Sequence, residues 1–153
     1  MDDVVASSRA EFDSWLPGMT RDLVGVEGFI EHVGRAAEEG TGWYYGVEVK
    51  GVVVGQCNIN AREDETGEIG YWIRSDRTNE GIATRAVRAV CGAAADHGFS
   101  GVVIRCDQGN ERSAAVARKA GFTHVCTIDL DPSLPRTSAQ TGREMIWHLA
   151  LDR

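Results

Sequence analysis

Apolar residues recur at helical spacing in Val26, Phe29, Ile30, Val33 and Ala37, which predicts a helix over residues 26–39 that Gly40 terminates. Residues 3–16 predict an earlier helix ending before Pro17. The pattern then shifts to strands. Trp43–Lys50 and Val52–Ala61 flank a tight turn at Lys50-Gly51, Arg62–Thr66 is a polar turn, and Gly67–Arg74 reads as a third strand. Helical spacing returns from Gly81 to His97, with Ala83, Val87, Val90 and Ala94 on one face and Arg85, Arg88 and Asp96 off it. Gly92 inside this helix costs about 1 kcal/mol relative to Ala, which predicts a close-packed neighbour there.

Gly98 ends the helix, and Gly101–Cys106 reads as a short apolar strand of the kind that lies buried beside a parallel partner. A right-handed strand–helix–strand unit follows from that order. Glu111–Ala120 predicts a short helix, with Asn110 as N-cap and Gly121 as terminator. Phe122–Leu130 and Arg143–Leu151 are the last two strands. Between them Asp131–Gly142, with Pro132 and Pro135, forms a long loop of the kind that often carries specificity. The chain has no internal repeat and no low-complexity segment.

Composition narrows the class. The chain has 153 residues, 42% of them hydrophobic and 25% charged, as in an ordinary globular domain with a real core. No apolar run approaches the roughly 20 residues of a membrane span, and Met1-Asp2-Asp3-Val4 does not open a signal peptide. A cytoplasmic protein that does not engage membranes is expected. The cysteines Cys57, Cys91, Cys106 and Cys126, spaced by 34, 15 and 20 residues, give no CxxC pair, and the four histidines show no i,i+4 pairing. No metal site is expected.

The net charge of −7 is unevenly distributed. Residues 1–40 carry nine acidic side chains against three arginines, whereas residues 71–120 carry eight basic side chains against five acidic ones. A basic centre suits a phosphorylated small ligand and an acidic flank suits a cationic one, though either is also what a solvated surface can show. With a pI near 5.1, nucleic-acid binding is not expected.

One stretch carries most of the chemistry. The strand Glu68–Arg74 runs into the turn Arg77-Thr78-Asn79-Glu80-Gly81-Ile82-Ala83, which opens a helix. A helix N-terminus presents unpaired N–H groups and a positive dipole end, a ready anion site. Charge-assisted hydrogen bonds are worth roughly 1.5–3 kcal/mol each, so a few such groups could hold a pyrophosphate.

The run from Glu68 to Val90 (EIGYWIRSDRTNEGIATRAVRAV), followed by Ile104–Phe122 (IRCDQGNERSAAVARKAGF), resembles the GNAT superfamily of N-acetyltransferases. The closer resemblance is to the subgroup that acetylates ribosomal-protein N-termini and its relatives. It covers roughly Ser7 to Leu149, and the two motifs at this separation make a specific signal. Gly81 and Ala83 match the turn pattern of that family. Thr78 stands where the family usually has Gln or Arg, with Arg77 beside it, and Asn79 and Glu80 stand where Gly and a basic residue are common. The family also begins with a strand before its first helix, and this chain starts almost at that helix.

The resemblance implies an acyl-CoA N-acyltransferase fold of α/β class: a mixed, mostly antiparallel sheet, splayed between two central parallel strands and flanked by helices. It implies a single N-acetyltransferase domain over residues 1–153. It also implies acetyl-coenzyme A as cosubstrate. The pantetheine arm would lie against the backbone of Tyr71, Trp72, Ile73 and Arg74, and the pyrophosphate on the N–H groups of Thr78, Asn79, Glu80, Gly81, Ile82, Ala83 and Thr84. A backbone N–H near Trp72 or Ile73 would polarise the thioester carbonyl. Asn110 would bond the pantetheine, or serve only as a helix cap. Ser113 would protonate the departing thiolate, or serve only as an inner-turn hydroxyl.

Glu68 is the candidate general base, acting directly or through a water, and on a strand it shares a face with Gly70 and Trp72. Glu144 and Asp129 are weaker candidates, and Cys106 reads as core rather than nucleophile. Trp15, Trp43, Tyr44, Tyr45, Trp72 and Trp147 could wall an acceptor pocket or fill the core. The amine must be neutral to attack. An α-amine, with a pKa of about 8, is roughly 10% neutral at pH 7, whereas a lysine, at about 10.4, is below about 0.1%. A strong general base is therefore less needed for the former. The acceptor is expected to be a protein N-terminus or a small cationic amine, the acidic first 40 residues weakly favouring a cationic one, with a homodimer allowed. The competing reading is a coenzyme A-binding regulatory module with little turnover.

Overall fold

The structure, a computed structural model, describes residues 25–152. The helix expected over 3–16 and the candidate Trp15 lie outside the described residues. The elements follow in order: helix α1 (Gly25–Glu38), strands β1 (Gly42–Val49), β2 (Val52–Ala61) and β3 (Thr66–Ile73), a short 3₁₀ turn at Ser75–Arg77, helix α2 (Ile82–Asp96), strand β4 (Gly101–Asp107), helix α3 (Glu111–Ala120), and strands β5 (Thr123–Asp129) and β6 (Arg143–Ala150).

Six strands form one sheet in the order β1-β2-β3-β4-β6-β5. Each neighbouring pair is antiparallel except β3 and β4, which run parallel. The β1–β2 turn has positive φ at both Lys50 (53°) and Gly51 (79°), the handedness that matches strand twist in a two-residue hairpin. The β3–β4 pairing is short. Thr66, Gly67 and Glu68 meet Gly101, Val102 and Val103, and beyond Glu68 the two strands part.

Side-chain alternation sorts the sheet into two faces. On one face Cys57, Ile59, Ile69, Val102, Ile104, Cys106 and Trp147 form a core with Val87, Val90, Cys91 and Ala94 of α2 and Ala114 and Ala117 of α3. Full burial of one such Val or Ile contributes about 1.5–3 kcal/mol, so this layer fixes α2 and α3 against the sheet. α1 packs on the opposite face over β1, where the rings of Phe29 and Tyr44 meet edge-on at 5.9 Å. Arg105, in the strand read as apolar, also points to this face, where it meets Glu144 of the adjacent β6.

The close neighbour expected at Gly92 is absent. A Cβ there would meet nothing within 4 Å, so its helix cost is not repaid by packing.

Candidate functional site

The divergence of β3 from β4 leaves part of the β3 edge without a strand partner. The N–H of Arg74 donates to the carbonyl of Val54 at 2.8 Å, so these two residues form a hydrogen-bonded antiparallel pair. Bonded pairs alternate along such a ladder, and Gln56 is the register partner of Trp72. The polar backbone of Trp72 and Arg74 is therefore turned toward β2. The N–H and C=O groups of Tyr71 and Ile73 are turned toward the gap. Of the four residues expected to line an extended ligand, two turn their main chain toward the gap, and of Trp72 and Ile73 only Ile73 has its N–H on that side.

The helix face of the gap is roofed by α3. Asn110 caps that helix, its side-chain oxygen accepting from the N–H of Ser113 at 3.1 Å, as the capping alternative expects. The Ser113 hydroxyl then meets the Tyr71 hydroxyl at 2.7 Å. Tyr71 also donates to the Ser113 carbonyl at 3.3 Å. Burial pushes the Tyr71 phenol well above its ordinary range, against the pull of its bond to Ser113, so it stays protonated. The Cys106 thiol is pushed up by burial too, while Ser113 and Trp147 beside its sulfur pull the other way. A thiol held neutral is a poor nucleophile, in keeping with a core role. Burial likewise raises Cys57 to about 12 and Cys91 to about 11. Ser113 thus stands between a β3 side chain and a β4 side chain, over the opening.

At the outer end of β3 the chain turns into α2. Gly81 is its N-cap, with φ 73°, and no side chain caps the helix. Asn79, where the family often has Gly, also has positive φ (64°), a conformation Asn tolerates better than most residues. Glu80 does not confront this helix end alone. Its carboxylate is held two-pronged by Arg77 at 2.7 and 2.9 Å, and that bond, reinforced by the charge of Arg77, keeps the Glu80 carboxyl below its ordinary range. Arg85 donates to the Glu80 carbonyl at 3.2 Å. Thr78 bonds back to the Ser75 carbonyl at 3.1 Å, which shapes the turn.

The opposite face of the sheet carries the candidate base. Glu68 accepts from Arg62 at 3.0 Å and lies 4.0 Å from Arg105, which also clasps Glu144. Glu68 and Glu144 are thus joined through Arg105 across the β3–β4 boundary. Asp129 is elsewhere, exposed on edge strand β5 and paired with Arg143 at 3.0 Å. The aromatic candidates separate by face. Tyr44 and Trp72 share the side of Glu68. Trp43, Tyr45 and Trp147 belong to the opposite core, where Trp43 stacks on His97 at 4.1 Å and Tyr45 bonds His97 at 3.2 Å. These three cannot wall a pocket at Glu68, because strand register places them across the sheet.

A cavity of about 660 Å³ lies between α2 and the β1–β2 hairpin, lined by Tyr45, Val47, Cys57, Ile82, Ala86 and Ala89 among others. It touches the expected ligand residues only at Ile82, on the far side of β3 from the gap.

A model of the acetyltransferase (GNAT) domain matches residues 1–123. The chain belongs to that family. Among curated proteins no sequence matches it significantly. Solved structures are similar in fold. RimL, a ribosomal L7/L12 alpha-N-protein acetyltransferase in complex with coenzyme A, is 21% identical, with TM-score 0.85 over 98% of this chain and 86% of its own. RimJ of Mycobacterium smegmatis, in complex with CoA-disulfide, is 20% identical, with TM-score 0.82 over 97% and 74%. The microcin C7 self-immunity acetyltransferase MccE, in complex with acetyl-CoA and AMP, is 20% identical, with TM-score 0.81 over 97% and 83%. At these identities the likeness is one of fold.

Sequence reasoning missed three groups: the hydroxyl of Tyr71, Arg105 between two carboxylates, and the polar side chains of β2. The last had a signal. Gln56, Asn58 and Asn60 alternate with Cys57 and Ile59, a polar stripe at strand period on a strand otherwise rich in Val. Among the described residues no cluster of His, Cys, Asp and Glu could hold a metal, and no helix is long and apolar enough to cross a membrane.

Proposed function

We propose that this GNAT protein transfers an acetyl group from acetyl-coenzyme A to a primary amine, with a protein or peptide N-terminus as the leading acceptor class. The observation that carries this reading is the parting of β3 and β4 beyond Glu68 and Val103, with Ser113 on one side and Glu68 on the other. The donor set fits the cosubstrate. The edge of β3 offers the main chain of Tyr71 and Ile73 to an amide-bearing arm, and the uncapped N-terminus of α2 offers N–H groups to a diphosphate. Of the similar solved structures, RimL holds coenzyme A and MccE holds acetyl-CoA.

Acetyl-coenzyme A supplies an activated thioester. The Ile73 N–H stabilises negative charge on its carbonyl oxygen. Glu68 takes the proton that the amine sheds as the new C–N bond forms. Ser113 delivers a proton to the sulfur as the C–S bond breaks, its hydroxyl oriented by the neutral Tyr71. Asn110 holds the turn that presents Ser113.

Thiol release from acetyl-coenzyme A, measured with a panel of amines, tests the proposal. Acceptor-dependent release supports it. Tight binding without release from any amine favours the regulatory module instead.

A further inference from the structure

We propose that Asn58, braced by Gln56 and given room by Gly70, reads the acceptor by hydrogen-bonding the carbonyl group next to its amine. The inference rests on the transferase reading above and deepens it. Asn58 is the one buried polar side chain among the described residues, 9% exposed. A buried carboxamide is unfavourable unless its hydrogen-bonding groups are met, so a strand that could carry Val there needs a reason to carry Asn. Gln56 meets part of that need, its Nε2 donating to Asn58 Oδ1 at 3.3 Å. With Oδ1 engaged, Nδ2 is the donor that the pair presents.

Gly70 sets where the amide goes. It is the register partner of Asn58 on β3, and a Cβ there would lie 2.8 Å from Asn58 Oδ1. The carboxamide thus fills the space of a missing β3 side chain. Gly70 lies two residues beyond Glu68, the last β3 residue paired with β4, so this space borders the opening between the strands. Asn58 therefore stands at the opening on the face of Glu68, across the sheet from Ser113.

Charge on this face favours an uncharged anchor. Glu68 is matched by Arg62 at 3.0 Å, and Glu144 is clasped by Arg105. Both carboxylates thus have a guanidinium partner, and no guanidinium there lacks a carboxylate, which leaves amide donors to fix an acceptor's orientation. A site built around such a donor discriminates against a ligand lacking the matching oxygen, because the buried group is then left unpaired.

The test compares a dipeptide amide with a free α-amine and an aliphatic primary amine of similar size without a carbonyl. Asn58→Leu and the nearly isosteric Asn58→Asp are the variants, with acetyl-coenzyme A affinity as the check on folding. The expected result is a KM for the dipeptide amide raised about tenfold, kcat and cofactor affinity near the wild-type values, and a collapsed preference over the plain amine. An unchanged preference in a variant that still binds acetyl-coenzyme A overturns the assignment of Asn58 and leaves the transferase reading standing. No thiol release from either amine by wild-type protein that binds acetyl-coenzyme A overturns the transferase reading and this inference with it.

Discussion

The hydroxyls of Tyr71 and Ser113 lie 2.7 Å apart, joining β3 to the first turn of α3 over the opening in the sheet. Neither neighbour alone sets this geometry. Asn110 fixes the Ser113 backbone and burial keeps the phenol protonated. Replacing Ser113 by Ala is expected to lower kcat by roughly 10²-fold, the low end for loss of a general acid, with little change in acetyl-coenzyme A affinity. Tyr71→Phe keeps the ring in the core and removes only the orienting bond, so a smaller loss is expected. Because the phenol titrates above its ordinary range, the wild-type rate profile should show no tyrosine limb below about pH 10. Steady-state kinetics and cofactor titration check all three outcomes.

Arg77 and Glu80 form an exposed pair at the N-terminus of α2. Removing the acid frees a cation beside the expected diphosphate site, so Glu80→Ala should tighten coenzyme A binding and steepen its salt dependence. Arg77→Ala leaves the carboxylate unneutralised at the positive end of the helix and should weaken binding. The double variant should fall between the two. Calorimetric titration at two salt concentrations separates these outcomes.

Much of this was legible before the structure. The β1–β2 hairpin, the cap at Asn110 and the turn at Gly81 are encoded by neighbouring residues, so local rules find them. The faces of Trp43, Tyr45 and Trp147 were not legible in the same way, because parity depends on the register of each strand against its partners. Nor was the reach of the β3–β4 gap, which depends on where two strands distant in sequence cease to pair. Asn58 sat in plain view at strand period, but a polar stripe says little until Gly70 is seen opposite it.

The loop Asp131–Gly142 is tied down by a residue far from it in sequence. Asp107, at the end of β4, accepts from the N–H groups of Gly109 (2.8 Å), Thr141 (3.0 Å) and Gly142 (3.2 Å), and from the Thr141 hydroxyl (3.0 Å). Burial alone would raise this carboxyl, but the donors outweigh it and hold the Asp107 pKa below its ordinary value. A lowered folded pKa means that the bound carboxylate adds stability above about pH 4, and that this is lost as pH falls through the folded value. Asp107→Asn should cost about 1 kcal/mol, modest because the site is largely solvated, and should speed proteolysis within the loop. The stability difference between wild type and variant should be flat above about pH 5 and shrink below about pH 4. Thermal melts across that range measure it.

Glu68 offers a test in which pH substitutes for the side chain. Its carboxylate accepts from Arg62 at 3.0 Å and lies 4.0 Å from Arg105 of β4. If it takes the amine proton, Glu68→Gln should lower kcat/KM at pH 7 by about 10²-fold. An α-amine acceptor titrates at about 8, so raising the pH to 9 supplies a mostly neutral nucleophile from solution. The deficit of the variant should therefore narrow as pH rises through 8, whereas Ser113→Ala, acting on the leaving group, should show a constant deficit. A Glu68→Gln deficit of the same size at pH 7 and pH 9 would assign Glu68 to holding Arg62 and Arg105 rather than to proton transfer. An Arg105→Gln variant then discriminates further, since loss of that clasp should disturb binding of the acceptor more than the pH dependence of its attack.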